Sequence, residues 1–253
     1  MRRPQLSRVE LPDFGMPAAM PEMPDAVYRE RFERLQQRMG NAGLDRLLLF
    51  ADREHSANVS YLTGFDPRFE EAMLIVGDRA EPLILVGNEC VGMAGAAPLP
   101  MRVELFQDFS LPSQPRHRSR PLDAILRGEG IGPGAQVGLV GWKTYAEPNL
   151  TDLPAYVVDL ARDVVGEGGS VVNATAVLID PADGLRVINE VEQLAFYEWA
   201  ACQTSQGVRN LLFGLELGMT EREAVQLLEW NGMPLSCHLM LTAGERARLG
   251  LLS

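Results

Sequence analysis

Apolar and polar positions alternate along this chain in two rhythms. Tyr28, Phe32, Leu35, Met39 and Ala42 recur at the spacing of an amphipathic helix, with Asp25 placed to cap a start near Ala26 and Gly43 closing the pattern. The unbroken apolar runs Leu47–Phe50 and Ala72–Val76 have the length of buried strands. Gly77-Asp78-Arg79-Ala80 reads as a turn and Pro82–Val86 as a strand returning from it, so this pair is antiparallel and the sheet is expected to be mixed. Further strands are predicted over Arg102–Phe106, over Gln136–Gly141 after a Gly-Pro-Gly turn, and at Val171-Val172. Helices are predicted over Leu122–Arg127 and Leu153–Arg162. Alternating helices and strands predict an α/β layer architecture.

The pattern breaks at Asp180–Gly184. Beyond it a long helix is predicted over Glu190–Phe213. Val191, Leu194, Ala201, Val208 and Leu212 share one face of it, but Glu198 and Ser205 fall in the same stripe. Gly214 and Gly218 bound a turn. Thr220 and Glu223 form a T-x-x-E capping box that opens a second helix ending near Asn231-Gly232, and Leu235–Thr242 reads as a strand. Residues 1–24, rich in Pro and Met and without a period, are expected to form an extended arm packed on the body or on a second subunit. Three elements after the break make a poor domain by themselves, and the chain ends on the apolar LGLLS. The expected organisation is therefore an arm (1–24), an α/β domain (25–180) and the start of a further domain (183–253).

With 253 residues, 46% of them hydrophobic, the chain can build a real core. A formal net charge of −11 repels phosphate backbones and anionic membrane surfaces, which disfavours nucleic acid and membranes as partners. Cys90, Cys202 and Cys237 are odd in number and widely spaced, which fits a reducing compartment and predicts a cytoplasmic protein. No C-x-x-C pair, phosphate-binding loop or G-x-S-x-G elbow occurs.

Two segments carry a resemblance to a family. Tyr61-Leu62-Thr63-Gly64-Phe65, preceded by an amphipathic helix and GLDRLLLF, is similar to the YLTGF-type turn of the aminopeptidase P, prolidase and creatinase family. In such a turn Tyr61 and Phe65 anchor the loop and Gly64 permits a tight bend. The second segment is Asp183–Gly244. DGLRVINEVEQLAFYEWAA resembles the family's linker and first catalytic-domain helix: Asp183 and Arg186 match an Asp-x-x-Arg-x-x-Lys pattern in which Asn189 replaces the lysine. ELGMTEREAVQLLEWNG resembles a Pro-Gly-x-Thr-Glu turn and helix, with Leu217 in the proline's place, and LSCHLMLTAG resembles the strand and glycine that follow.

The resemblance implies a mixed-sheet creatinase-type amino-terminal domain followed by the beginning of an α+β "pita-bread" catalytic domain. It also implies a metal-dependent hydrolase of Xaa-Pro peptides or of a creatine-like C–N substrate, while the apolar faces left uncovered on the incomplete last domain predict a homodimer or larger assembly. The family's two aspartates, one histidine and two glutamates would fall after Ser253, so the chain itself is expected to hold no metal and to lack catalysis. A divalent pair (Mn, Co or Zn) enters only if a longer parent supplies the ligands. Where the family continues with Gly-x-Asn-x-x-x-Pro-His, an ungapped reading from Gly244 puts Arg246, Gly250 and Leu251 on the Asn, Pro and His positions. A non-catalytic binding or dimerisation module of the same ancestry is the competing expectation.

No catalytic or metal-binding residue is assigned. Candidates for contact with a small peptide or creatine-like ligand are His55, Arg68 and His238. His55 lies in Asp52-Arg53-Glu54-His55, and Arg68, Glu70 and Glu71 follow the YLTGF segment. Set against a substrate role is a solvated loop with surface ion pairs, while the resemblance suggests reach toward a neighbouring subunit's active site. His238, in the run Ser236–Leu241, reads first as a packed, hydrogen-bonded histidine, and Cys202 and Cys237 read as small core residues. Arg116-His117-Arg118-Ser119-Arg120 reads as a solvated basic loop.

Overall fold

The computed structural model describes residues 7–11, 15–78 and 81–250. These fall into two compact units, Met23–Asn189 and Met1–Glu22 with Glu190–Ser253.

The Met23–Asn189 unit is a three-layer α/β/α structure around a six-stranded mixed sheet. The strands are β1 (Arg46–Ala51), β2 (Ala72–Val76), β3 (Leu83–Val86), β4 (Arg102–Leu105), β5 (Gln136–Val140) and β6 (Ser170–Asn173), in the order β4-β3-β2-β1-β5-β6. β2 runs antiparallel to β1 and β3, and the other neighbours are parallel. Layering follows from the period-2 pleat. Leu47, Leu49, Leu74, Val76, Ile84 and Val86 face one core, and Leu48, Phe50, Met73, Ile75, Leu83 and Leu85 face the other. A sheet covered on both faces needs runs without polar interruption, as Leu47–Phe50 and Ala72–Val76 are.

The first face is covered by α1 (Asp25–Asn41), α2 (Ala57–Thr63), α3 (Val91–Gly95) and α6 (Ala176–Ile179), the second by α4 (Leu122–Gly128) and α5 (Ala155–Val165). Phe32, Leu35 and Met39 of α1 are buried as their spacing requires. Asp25 lies inside the first turn and complements the helix dipole, while Pro24 holds the cap position that the sequence had suggested for Asp25. The YLTGF segment is the end of a helix, not a free-standing turn. Gly64 takes the left-handed cap conformation (φ 72°) and packs so closely that a Cβ would lie 2.7 Å from the Pro98 ring. Thr63, buried, donates to the Val59 carbonyl at 2.7 Å. The turn expected at Gly77–Ala80 lies partly outside the described residues.

Of the two loops read as solvated, one buries a carboxylate, while the basic run is exposed as expected but held by polar partners. Glu70 is only 2% exposed, because its carboxylate accepts the Glu89 and Cys90 amides ahead of α3. Burial and that carboxylate push the Cys90 thiol up to about 12, so it is an inert core thiol. The basic run is also tied down: Arg120 pairs with Glu104 at 2.6 Å, Arg116 donates to the Ser110 carbonyl, and the Arg118 amide donates to Gln107.

In the other unit, α7 (Val191–Gly214) and α8 (Glu221–Gln226) form a hairpin in which Gly207 lets α7 approach the Leu228 backbone. The capping box is formed on both sides: the Glu223 amide donates to Thr220 Oγ1, and the Thr220 amide donates to Glu223 Oε2. α8 ends at Gln226, earlier than Asn231, and the backbone then turns at Glu229 (φ 50°) and Gly232 (φ 83°). Leu235–Thr242 is irregular, not a strand; among the described residues no strand lies beside it to complete a ladder. His238 and Cys237 are accordingly exposed, not packed, and Cys202 is half-buried. The described part of the arm has no regular structure, and Met16 Sδ accepts a hydrogen bond from Gln203. No helix among the described residues is long and apolar enough to cross a membrane.

Candidate functional site

Strand register brings one edge of the sheet together. Ala51 pairs with Ala72, Ala72 with Val86, Val86 with Leu105, Leu49 with Val140 and Leu139 with Asn173. The residues following β1, β3, β4, β5 and β6, and those preceding β2, therefore share that edge. In open α/β sheets the carboxyl ends of parallel strands are where ligands bind. Here the parallel pair β1 and β5 presents Asp52 and His55 beside Gly141 and Trp142.

Asp52 organises its own loop. Its Oδ1 accepts the amides of Glu54 and His55 at 2.9 and 2.8 Å, an Asx turn that brings the imidazole back to the carboxylate. His55 Nδ1 then lies 3.0 and 3.1 Å from the two carboxylate oxygens. The ring stacks on the Trp142 indole, with centroids 3.6 Å apart and planes 16° from parallel. With Nδ1 engaged by Asp52, Nε2 is the nitrogen left to meet a ligand. A carboxylate-backed imidazole of this kind can accept a proton or hydrogen-bond an acid group at Nε2.

A buried polar lattice supports this edge. The Gly141 amide donates to Thr175 Oγ1 at 3.0 Å, and the Gly141 carbonyl accepts from Asn58 Nδ2 at 2.6 Å. The Trp142 amide donates to Asp152 Oδ2 at 2.9 Å. Only glycine fits at 141, since a Cβ there would collide with the Asp152 carboxylate. Asn58 Oδ1 accepts from Arg186 Nη1 at 2.8 Å. The Tyr61 hydroxyl donates to the Leu185 carbonyl at 3.0 Å, and Arg38 faces Asp183 at 3.8 Å. The Asp-x-x-Arg pair thus fastens the segment after α6 onto α1 and α2. Leu185, buried, belongs to this unit's core, beyond the break expected at Asp180–Gly184.

Further along the edge, the Glu71 carboxyl and the Tyr156 phenol lie near each other and influence each other's charge. Burial first, and the Asp52 charge second, raise the Glu71 carboxyl above its ordinary range, against the pull of Arg116. The Tyr156 phenol is raised by burial and then by Glu71.

Of the three sequence-derived candidates, only His55 sits in this arrangement. Arg68 is exposed, has a left-handed backbone (φ 61°) and donates its amide to Asp66. Among the described residues, no hydrogen bond, ion pair or ring contact joins Arg68 to His55. His238 belongs to the other unit, where its carbonyl accepts from Cys237 Sγ. Trp142, Asp152 and Glu71 were missed as site residues. The Asp52–His55 pairing is local in sequence and readable, whereas the partnership with Trp142 is set by strand pairing.

The six-stranded mixed sheet with helices on both faces makes the chain's first unit an α/β domain of a known kind. Residues 31–139 match the family model of the creatinase/prolidase N-terminal domain. Solved structures with the same fold include a Xaa-Pro dipeptidase from Bacillus anthracis (15% identity, TM-score 0.56, covering 80% of this chain and 48% of that one). A prolidase from Pyrococcus horikoshii OT3 gives 16% identity, TM-score 0.56 and coverage of 80% and 49%. A recombinant prolidase from Thermococcus sibiricus gives 19%, 0.58, and 80% and 48%. The chain spans about half the length of these structures. No curated protein matches it.

Proposed function

We propose that this chain is the amino-terminal part of a Xaa-Pro peptidase-like metallohydrolase, and that it serves as a non-catalytic recognition and dimerisation portion of that protein. The observation that carries the reading is the Asp52–His55–Trp142 arrangement at the ligand-facing edge of a creatinase/prolidase-type domain. An imidazole presenting Nε2 suits a hydrogen-bond donor of the peptide, and an indole suits a proline ring. The described residues do not fit a divalent metal pair: no three His, Cys, Asp or Glu side chains among them converge on one point. Any Mn, Co or Zn pair of the parent hydrolase is held by other residues, and no metal-dependent step belongs to those described. Exposed Val191, Leu194, Val208 and Leu212 on α7 support pairing with a second copy. The three unpaired cysteines support a reducing, cytoplasmic setting.

Isothermal titration with Ala-Pro, Pro-Ala and creatine tests recognition, and an Ala-Pro hydrolysis assay with added Mn²⁺ tests the absence of catalysis. The expected result is saturable binding of Ala-Pro, weaker binding of Pro-Ala, loss of both in His55→Ala, and no hydrolysis. No heat from any of the three ligands would remove the recognition role, and turnover of Ala-Pro would remove the non-catalytic one. Light scattering should find a dimer, and a monomer at all concentrations would refute the pairing.

A further inference from the structure

The segment that leaves the first domain and the candidate recognition edge share one buried side chain, Asn58. It is 5% exposed and sits in the first turn of α2, three residues after His55. Its amide nitrogen holds the Gly141 carbonyl at 2.6 Å, and its carbonyl oxygen takes the Arg186 guanidinium at 2.8 Å. A primary amide can serve both partners in only one orientation, because its donor and acceptor ends are distinct. The cation at Arg186 therefore selects the orientation that aims Nδ2 at Gly141. Gly141 is followed directly by Trp142, whose amide is fixed by Asp152 and whose ring is the platform under His55.

We infer that Arg186 is a positioning residue for the recognition edge: through Asn58 it fixes the β5 terminus and the stacking of Trp142 on His55. The inference rests on the proposed recognition role for its biological meaning, but its geometry stands in the ligand-free protein. α2 is the shared lever. Its start follows the His55 loop, while Tyr61 near its end binds the Leu185 carbonyl, so two hydrogen bonds from one helix hold Leu185 and Arg186. A shift of that segment is then felt at the His55 ring, which makes the exit from the domain a control point for ligand affinity. Coupling of this kind needs a contiguous set of packed polar groups, and Arg186, Asn58, Gly141, Trp142 and His55 form one.

Ring-current shifts read the stacking directly. The chain has three histidines, so a ¹H–¹³C spectrum of the imidazoles contains three ring systems, assigned through His55→Gln. In the parent the His55 ring protons should lie upfield of those of His117 and His238, because the Trp142 face shields them. Arg186→Ala should move them downfield toward the other two, Arg186→Lys should restore most of the shift, and Asn58→Ala should reproduce the Arg186→Ala change. Core methyl shifts of Leu48 and Leu74 serve as the measure of intact folding. An unchanged His55 position in a folded Arg186→Ala protein would overturn the inference. If Arg186→Ala does not fold, Arg186→Gln decides in the same way. Because no peptide is present, this failure is separate from failure of Ala-Pro to bind.

Discussion

Replacing Asn58 by alanine removes two buried hydrogen bonds from a single position, and the cost can be worked from the structure. The bond to the Gly141 carbonyl is neutral and contributes about 1 kcal/mol, and the bond from the Arg186 guanidinium contributes about 1.5–3 kcal/mol. Alanine's better helix propensity at this α2 position offsets up to about 0.7 kcal/mol. The net expectation is a loss of roughly 2–3 kcal/mol, a fall of about 5–10 °C in the melting temperature of a domain this size. Asn58→Asp separates the two bonds. It keeps an acceptor for Arg186 but turns a carboxylate oxygen toward the Gly141 carbonyl, so it should also destabilise the domain. Calorimetric melting of parent and variants measures the transition of the Met23–Asn189 unit. An Asn58→Ala melting temperature within 1 °C of the parent would show that the lattice is not holding the β5 terminus, and the reasoning about Asn58 would fail.

Two further outcomes follow from burial. Folded Glu71 holds its proton to higher pH than the unfolded chain does, so the native state binds more protons in that window and stability falls as pH rises through it. Glu71→Gln should therefore be more stable than the parent at neutral pH and lose that advantage below the ordinary carboxyl range; a constant difference in melts across pH would refute the assignment. Amide hydrogen exchange should be faster along α7, where only Gly207 is buried, than along β1, where Leu47, Leu48 and Leu49 are fully enclosed; equal protection would contradict this.

Strands were legible because their apolar runs are uninterrupted and bounded by turn residues, as with Leu47–Phe50 and Ala72–Val76. Helix α1 was legible from Phe32, Leu35 and Met39, and the start of α8 from the capping box of Thr220 with Glu223. The short helices α3 and α6 were not, since five and four residues are too few to display a 3.6-residue period. α2 passed for a turn because its seven residues include β-branched Val59 and Thr63. Leu235–Thr242 misled because an apolar run specifies a strand only when another strand is there to pair with it. The site was half legible. Asp52 and His55 are three residues apart, and Asp183 and Arg186 stood out through family resemblance. Trp142, Arg38 and Asn58 become their partners only through tertiary packing, which no local pattern encodes. Glu70 looked like a surface charge because nothing near it announces the Glu89 and Cys90 amides it accepts.

The central claim, that the carboxyl edge of β1 and β5 recognises a proline-containing peptide, is tested most directly by mapping backbone amide shifts of the labelled chain during titration with Ala-Pro. Saturable shifts should concentrate at residues 52–58 and 141–143 and vanish in His55→Ala and Trp142→Ala proteins that remain folded. Shifts confined to other parts of the chain, or none at saturating peptide, would contradict it.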